Sequence, residues 1–156
     1  MNDDFKDLLG LFNEYRVEYL VIGGYAVVEY TEPRFTKDID LWVRANKENA
    51  PRIYAALQAF HAPVSELTPD DFSEEGYFFQ MGREPNRVDV LMSIPGVEFA
   101  AAWERRHEVE IDGVLVRFIG LEDLLRNKEA SGRPQDLLDA ARLWDALERL
   151  RKNPTA

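Results

Sequence analysis

The chain has 156 residues, enough for one domain with one substantial core, and its 46% hydrophobic and 12% aromatic content excludes intrinsic disorder. The absence of cysteine excludes disulfides, zinc fingers and thiol catalysis and fits a reducing compartment. The formal net charge of −10 argues against a broad nucleic-acid footprint, although metal ions can neutralise a polyphosphate locally.

The start, Met1-Asn-Asp-Asp-Phe5, is acidic where a signal peptide is basic, and no apolar run reaches membrane length. A cytoplasmic location with no membrane partner is the expectation. Phe5, Leu8, Leu9 and Phe12 recur at helical spacing, predicting an amphipathic helix over 3–15 with Asn2, Asp3 or Asp4 as its N-cap. Residues 18–22 form a short apolar strand ending at Gly23-Gly24, and Tyr25 to Tyr30 continue as a helix with Ala26, Val27 and Val28 in the core. Pro33 interrupts regular structure. A second strand covers Thr36 to Arg44 and carries Asp38 and Asp40 on one face.

Asn46 caps a helix to about Phe60 with Ile53, Ala56, Leu57 and Phe60 on its apolar face; Pro51 disturbs the first turn or moves the cap later. A turn of helix is expected around Asp70 to Phe72. Tyr77–Met81 and Arg87–Met92 pair as a hairpin through Gly82-Arg-Glu-Pro-Asn86, and Val97 to Arg106 form a helix. Asp112-Gly113 joins strands 107–111 and 114–119, a strong hairpin signal. Two helices, 121–131 and 134–151, break at Gly132, and Leu137, Leu138, Ala141, Trp144 and Leu147 are the predicted buried stripe of the second. The fold class is α+β: a mixed sheet flanked by helices, a single domain over 1–156 with a core at about 18–119 and a C-terminal helical hairpin at about 120–151.

The chemistry centres on the stretch from Val21 to Val43. Two carboxylates on one strand face repel unless a cation lies between them, and a divalent metal with oxygen ligands is the usual solution. Gly23-Gly24 opens a helix whose free N–H groups suit phosphate. Asp89, between Val88 and Val90 in mid-strand, is a third carboxylate that converges on the pair if its strand lies alongside. Arg87 reads as an ion-pair partner for Asp89 or another acid. His61 and His107 lack a partner at metal or triad spacing and read as structural. Trp42, Trp103 and Trp144 read as packing residues.

Gly23-Gly24, Asp38-Ile-Asp40-Leu and Asp89, in that order, resemble the nucleotidyltransferase superfamily of DNA polymerase beta type. Arg34-Phe-Thr-Lys-Asp-Ile-Asp40 is similar to the AbiEii and MenT-like branch, which includes toxin components of toxin–antitoxin pairs. Leu121–Lys128 and Arg133-Pro-Gln-Asp136-Leu-Leu-Asp139 look like that branch's later Lys and Asp-x-x-Asp motifs. The resemblance spans residues 18–145. It implies a nucleotidyltransferase in which Asp38, Asp40 and Asp89 hold two Mg²⁺ (or Mn²⁺) ions, with Asp89 on the ion that activates the attacking hydroxyl. Gly23 and Gly24 would cradle the β- and γ-phosphates of an NTP such as ATP. Lys128 joins the catalytic set by neutralising the triphosphate, Arg34, Thr36 and Arg133 add nucleotide contacts, and Asp136 orients Lys128 or the acceptor. Candidate acceptors are an RNA such as a tRNA end, a protein hydroxyl or a small molecule, and an antitoxin is a further candidate partner. A non-catalytic nucleotide-binding module of the same fold is the alternative. The family often has Gly-Ser where this chain has Gly23-Gly24, so a hydroxyl contact is replaced by backbone donors alone.

Overall fold

In a computed structural model, residues 1–83 and 86–153 are described. Six strands form one mixed sheet: β1 (Tyr19–Ile22), β2 (Ile39–Val43), β3 (Phe78–Met81), β4 (Val88–Leu91), β5 (His107–Ile111) and β6 (Val114–Phe118). Their spatial order is β3-β4-β2-β1-β6-β5. β1 runs antiparallel to β2, β2 parallel to β4, and β1 parallel to β6. The two outer pairs, β3 with β4 and β5 with β6, are antiparallel. The expected α+β class with a mixed sheet and a C-terminal helical hairpin is what the chain adopts.

Helix α1 (Asp3–Glu14) starts at Asn2, whose side chain accepts from the Phe5 N–H at 2.8 Å. It buries Phe5, Leu8, Leu9 and Phe12, the stripe read from the sequence. Helix α2 (Gly23–Tyr30) buries Ala26 and Val27 but leaves Val28 half-exposed. The strand predicted over 36–44 shortens to β2, so Asp38 stands one residue before its start. Helix α3 spans Ala50–Ala59 rather than starting after Asn46. Asn46 instead accepts the Asn49 N–H at 2.8 Å in a preceding turn, and Pro51 sits in the first helical turn, where it lacks only a hydrogen bond that no partner would have taken.

Residues 69–72 make one 3₁₀ turn that buries Phe72. Part of the loop joining β3 to β4, at 84–85, lies outside the described residues. Helix α4 (Phe99–Glu104) is shorter at both ends than predicted, and Asp112 and Gly113 take φ of 49° and 83°, the paired positive values of a tight hairpin turn. Helices α5 (Leu121–Ser131) and α6 (Pro134–Lys152) meet at Gly132, which is left-handed at φ 67° and donates to the Lys128 carbonyl at 3.1 Å.

The alternation along β2 divides the sheet into its two faces. Ile39, Leu41 and Val43 enter the buried core with Val88 and Val90, while Asp40 faces the opposite side with Trp42, whose ring meets Phe99 of α4 edge-on at 5.0 Å. The predicted stripe of α6 is displaced. Asp136, Asp139, Ala140, Leu143, Ala146 and Leu147 are buried, whereas Leu137, Leu138 and Trp144 are exposed. Of the predicted set only Leu147 is inside. The helix is turned about one residue so that two aspartates face inward, because cations of α5 and of the 31–38 link wait for them there.

Candidate active site

The register of three adjacent strands builds the site. Ile22, the last residue before the glycine turn, stands opposite Asp40, and Asp40 stands opposite Asp89 on the other side. Asp38, two residues back on β2's approach, lies on the same face. Sequence gave the period along each strand, and the parallel β2–β4 pairing brings the three carboxylates together.

Their electrostatics show what the arrangement demands. Burial, reinforced by the neighbouring Asp89 carboxylate, pushes Asp40 up from 3.8 to about 7, and Lys128 only partly counters this. The Arg87 guanidinium lies between the outer two, with Nη2 3.3 Å from Asp38 Oδ2 and Nε 3.3 Å from Asp89 Oδ1. Its backbone N–H also donates to Asp38 Oδ1 at 3.2 Å. Gln80 on β3 donates to Asp89 Oδ1 at 2.8 Å. Among the described residues no three His, Cys, Asp or Glu side chains stand in a metal-ligating arrangement, and Asp38 and Asp89 each contact Arg87. The donor set nevertheless fits a hard divalent cation: three carboxylates line one cleft, and burial beside Asp89 makes the charged form of Asp40 costly unless positive charge is supplied there.

Gly23 holds φ 68°, and an added Cβ would overlap the Asp40 carboxylate. The turn can therefore bring helix α2 this close to Asp40 only as glycine. Gly24 is packed from behind, where a Cβ would come within 2.8 Å of Thr36 Cγ2. The buried Thr36 hydroxyl has no hydrogen-bond partner among the described residues.

Helices α5 and α6 close the other wall. A cavity of about 330 Å³ is bounded by Gly23, Asp38, Asp40, Asp89, Lys128 and Arg133, with Asp136 also on its lining. Lys128, only 8% exposed, lies 3.3 Å from both Asp136 Oδ1 and Asp139 Oδ2. Burial alone would raise these two acids. Arg133 and Lys128 hold Asp136 below the usual carboxylate range instead, and Arg34, Lys128 and Gln135 do the same for Asp139. Arg133 reaches Asp136 Oδ2 at 2.8 Å, and its side chain is otherwise largely exposed.

Apart from Gly24, which packs against Thr36, the residues marked in the sequence fall into two groups. Gly23, Asp38, Asp40, Asp89, Lys128, Arg133 and Asp136 share the cleft. Arg34 and Thr36 line a separate cavity of about 500 Å³ with Tyr25 and Lys37, and Arg34 is tied to Asp139 at 2.9 Å. Arg34 thereby anchors α6 to the link before β2. Sequence reading passed over Asp139 as a site residue, although the Asp-x-x-Asp spacing puts it one turn from Asp136. It also missed Gln80, for which only the β3–β4 register gives a signal. His107 pairs with Glu29 at 3.4 Å and has no place in the cleft.

Family profiles decide the affiliation: residues 3–144 match the family described as nucleotidyltransferase of unknown function (DUF6036). The chain belongs to that nucleotidyltransferase family. A sequence comparison with curated proteins finds no match. Among solved structures, the family member's fold is similar to the lincosamide antibiotic adenylyltransferase LnuA, crystallised with lincomycin bound. That similarity has a TM-score of 0.56 at 14% identity over 94% of this chain and 98% of LnuA. An antigenic nucleotidyltransferase-like protein from Paracoccidioides brasiliensis is similar with a TM-score of 0.52 at 15% identity, over 98% of this chain and 90% of that one. At these identities the likeness is one of fold. No helix among the described residues is long and apolar enough to cross a membrane.

Proposed function

We propose that this nucleotidyltransferase-family protein is a Mg²⁺- or Mn²⁺-dependent enzyme that moves an NMP from an NTP to a hydroxyl acceptor. The observation that carries the reading is the register Ile22–Asp40–Asp89, which sets a glycine-opened helix start beside converging carboxylates. Asp38, Asp40 and Asp89 would hold the ions. When bound, the ions supply positive charge to the reacting phosphate and acidify the acceptor hydroxyl.

The chain's own groups do the rest. The Gly23 turn aims the first N–H groups of α2 at the β- and γ-phosphates. Lys128 and Arg133, on the facing wall, neutralise the triphosphate, and Asp136 and Asp139 fix the Lys128 ammonium in the cleft. The acceptor hydroxyl loses its proton to solvent as its oxygen forms a bond to the α-phosphorus, the bond from that phosphorus to the β-bridging oxygen breaks, and pyrophosphate leaves with the negative charge. Burial beside Asp89 raises Asp40 to about 7, so positive charge supplied in the cleft would favour its ionised, ligating form.

The acceptor class is an RNA, a protein or a small molecule. A role as toxin component of a toxin–antitoxin pair, with a cognate antitoxin, is the narrower reading supported by the Arg34–Asp40 and Lys128–Asp139 motifs. The reading as a non-catalytic nucleotide-binding module draws on Arg87, whose guanidinium already satisfies two of the three carboxylates.

The test is transfer of label from each of the four α-labelled NTPs into a host lysate with Mg²⁺. Transfer is expected with at least one NTP, with chelator abolishing it and Asp38→Asn or Asp40→Asn lowering it by about 100-fold or more. NTP binding without transfer to any acceptor would decide for the module.

A further inference from the structure

The two edges of the sheet carry opposite chemistry. β5, at one edge, reads His107, Glu108, Val109, Glu110, Ile111, and its charged side chains deter pairing with another chain. β3, at the other edge, reads Phe78, Phe79, Gln80, Met81 and carries no charge. Phe79 stands opposite Val90 and Met81 opposite Val88 in the antiparallel pairing with β4, and the Met92 N–H donates to the Tyr77 carbonyl at 3.1 Å. Bonding residues alternate in such a ladder. Tyr77, Phe79 and Met81 therefore turn their backbone groups to β4, while Phe78 and Gln80 turn theirs to the open edge. The aromatic side chains there are bare: Tyr77 is 60% and Phe78 64% exposed.

Beside this edge lies a groove of about 330 Å³ with Phe72, Phe79 and Met92 in its lining and Asp70, Asp71 and Glu74 at its rim. Glu75 follows Glu74 in the chain, and all four acids are exposed. Asp71 accepts the Thr68 N–H at 2.7 Å, but no ion pair among the described residues neutralises any of the four. The groove is apolar within and anionic around its mouth.

We propose that the β3 edge docks an extended, lysine- or arginine-bearing segment of a partner protein as an added strand. Its backbone pairs with the outward groups of Phe78 and Gln80, an apolar side chain enters the groove, and its cations meet the acidic rim. A second copy of this chain is the poorer occupant, because it would bring two acidic rims together in a protein of net charge −10. RNA meets the same repulsion.

The probe is a labelled hexapeptide alternating valine and lysine, with a valine–glutamate hexapeptide as control, followed by fluorescence anisotropy and amide hydrogen exchange. The lysine peptide is expected to bind and to slow exchange at the Phe78 and Gln80 amides at least about tenfold, leaving Phe79 and Met81, already bonded to β4, unchanged. The glutamate peptide is expected not to bind. Phe78→Pro removes an N–H that β4 does not use and is expected to abolish binding. Should that variant fail to fold, the double change Glu74→Lys and Glu75→Lys, both on the surface, is expected to weaken the lysine peptide by about tenfold. Equal binding of both peptides, protection elsewhere than β3, no binding at all, or a concentration-dependent dimer that protects the β3 amides without peptide would each overturn the proposal.

Discussion

Asp40 is the residue on which the cleft turns, because its charge is unwelcome without a cation beside it. Its folded value of about 7 lies above its ordinary 3.8, so the ion-free folded protein binds that proton more tightly than the unfolded chain does. Asp40 therefore contributes stability that is fully present below pH 4 and is lost as pH rises to about 7. Asp40→Asn removes this dependence. In EDTA, the stability of Asp40→Asn relative to the parent chain is expected to rise between pH 4 and 7 and level off above, as read by urea denaturation. A gap that shrinks over that window would show that Asp40 is not desolvated as described. Gly23 gives the second prediction at this scale. A methyl group there overlaps the Asp40 carboxylate and forces an L-residue into positive φ, so Gly23→Ala is expected to cost about 1–3 kcal/mol in chemical denaturation. Gly10, with nothing near its added Cβ, is the control for the same substitution.

At the level of elements, α6 shows how buried charge can override apolar patterning. Leu137, Leu138, Ala141, Trp144 and Leu147 recur at a helical period as well as the stripe that is buried, and nothing local separates the two. Asp136 and Asp139 decide it, because Lys128, Arg133 and Arg34 reach them from α5, the inter-helix turn and the 31–38 link. Turning the helix the other way would bury leucines but strand Lys128 without partners, a cost of several kcal/mol. Leu143→Ala, in the buried stripe, is expected to destabilise the fold by about 2–5 kcal/mol, whereas Leu138→Ala is expected to stay within about 0.5 kcal/mol. Thermal melts of the two variants side by side check the assignment, and equal shifts would contradict it.

For the molecule as a whole, the net charge of −10 disfavours a polyanion, and several of the cations are already engaged by acids. Lys128 lies within the cleft against two aspartates, and Arg34, Arg44 and Arg117 are each paired with an acid. Filter binding of a single-stranded RNA homopolymer is expected to show no retention at physiological salt without divalent ions. Tight, salt-sensitive retention would restore RNA to the front of the acceptor classes.

The sequence by itself determined the local periods and their punctuation. Asn2 capping α1, the Asp112-Gly113 hairpin, the Gly132–Pro134 break and the alternation that puts Asp38 and Asp40 on one face all depend on neighbours within a few residues. It also ordered Gly23-Gly24, Asp38, Asp40 and Asp89 in a pattern that resembles nucleotidyltransferases. Tertiary structure decided what depends on distant partners. The β2–β4 pairing set Asp89 against Asp40 across 49 positions of chain, and Arg87 settled between two carboxylates. Arg34 went to α6 rather than into the cleft, and α6 turned its aspartates inward. The physical reason is the same in each case: a carboxylate fixes its position by the cation that it meets, and that cation is supplied by another element. The glycine turn needed both levels, since the sequence supplied a residue free to take positive φ and the fold supplied the carboxylate that leaves no room for anything else.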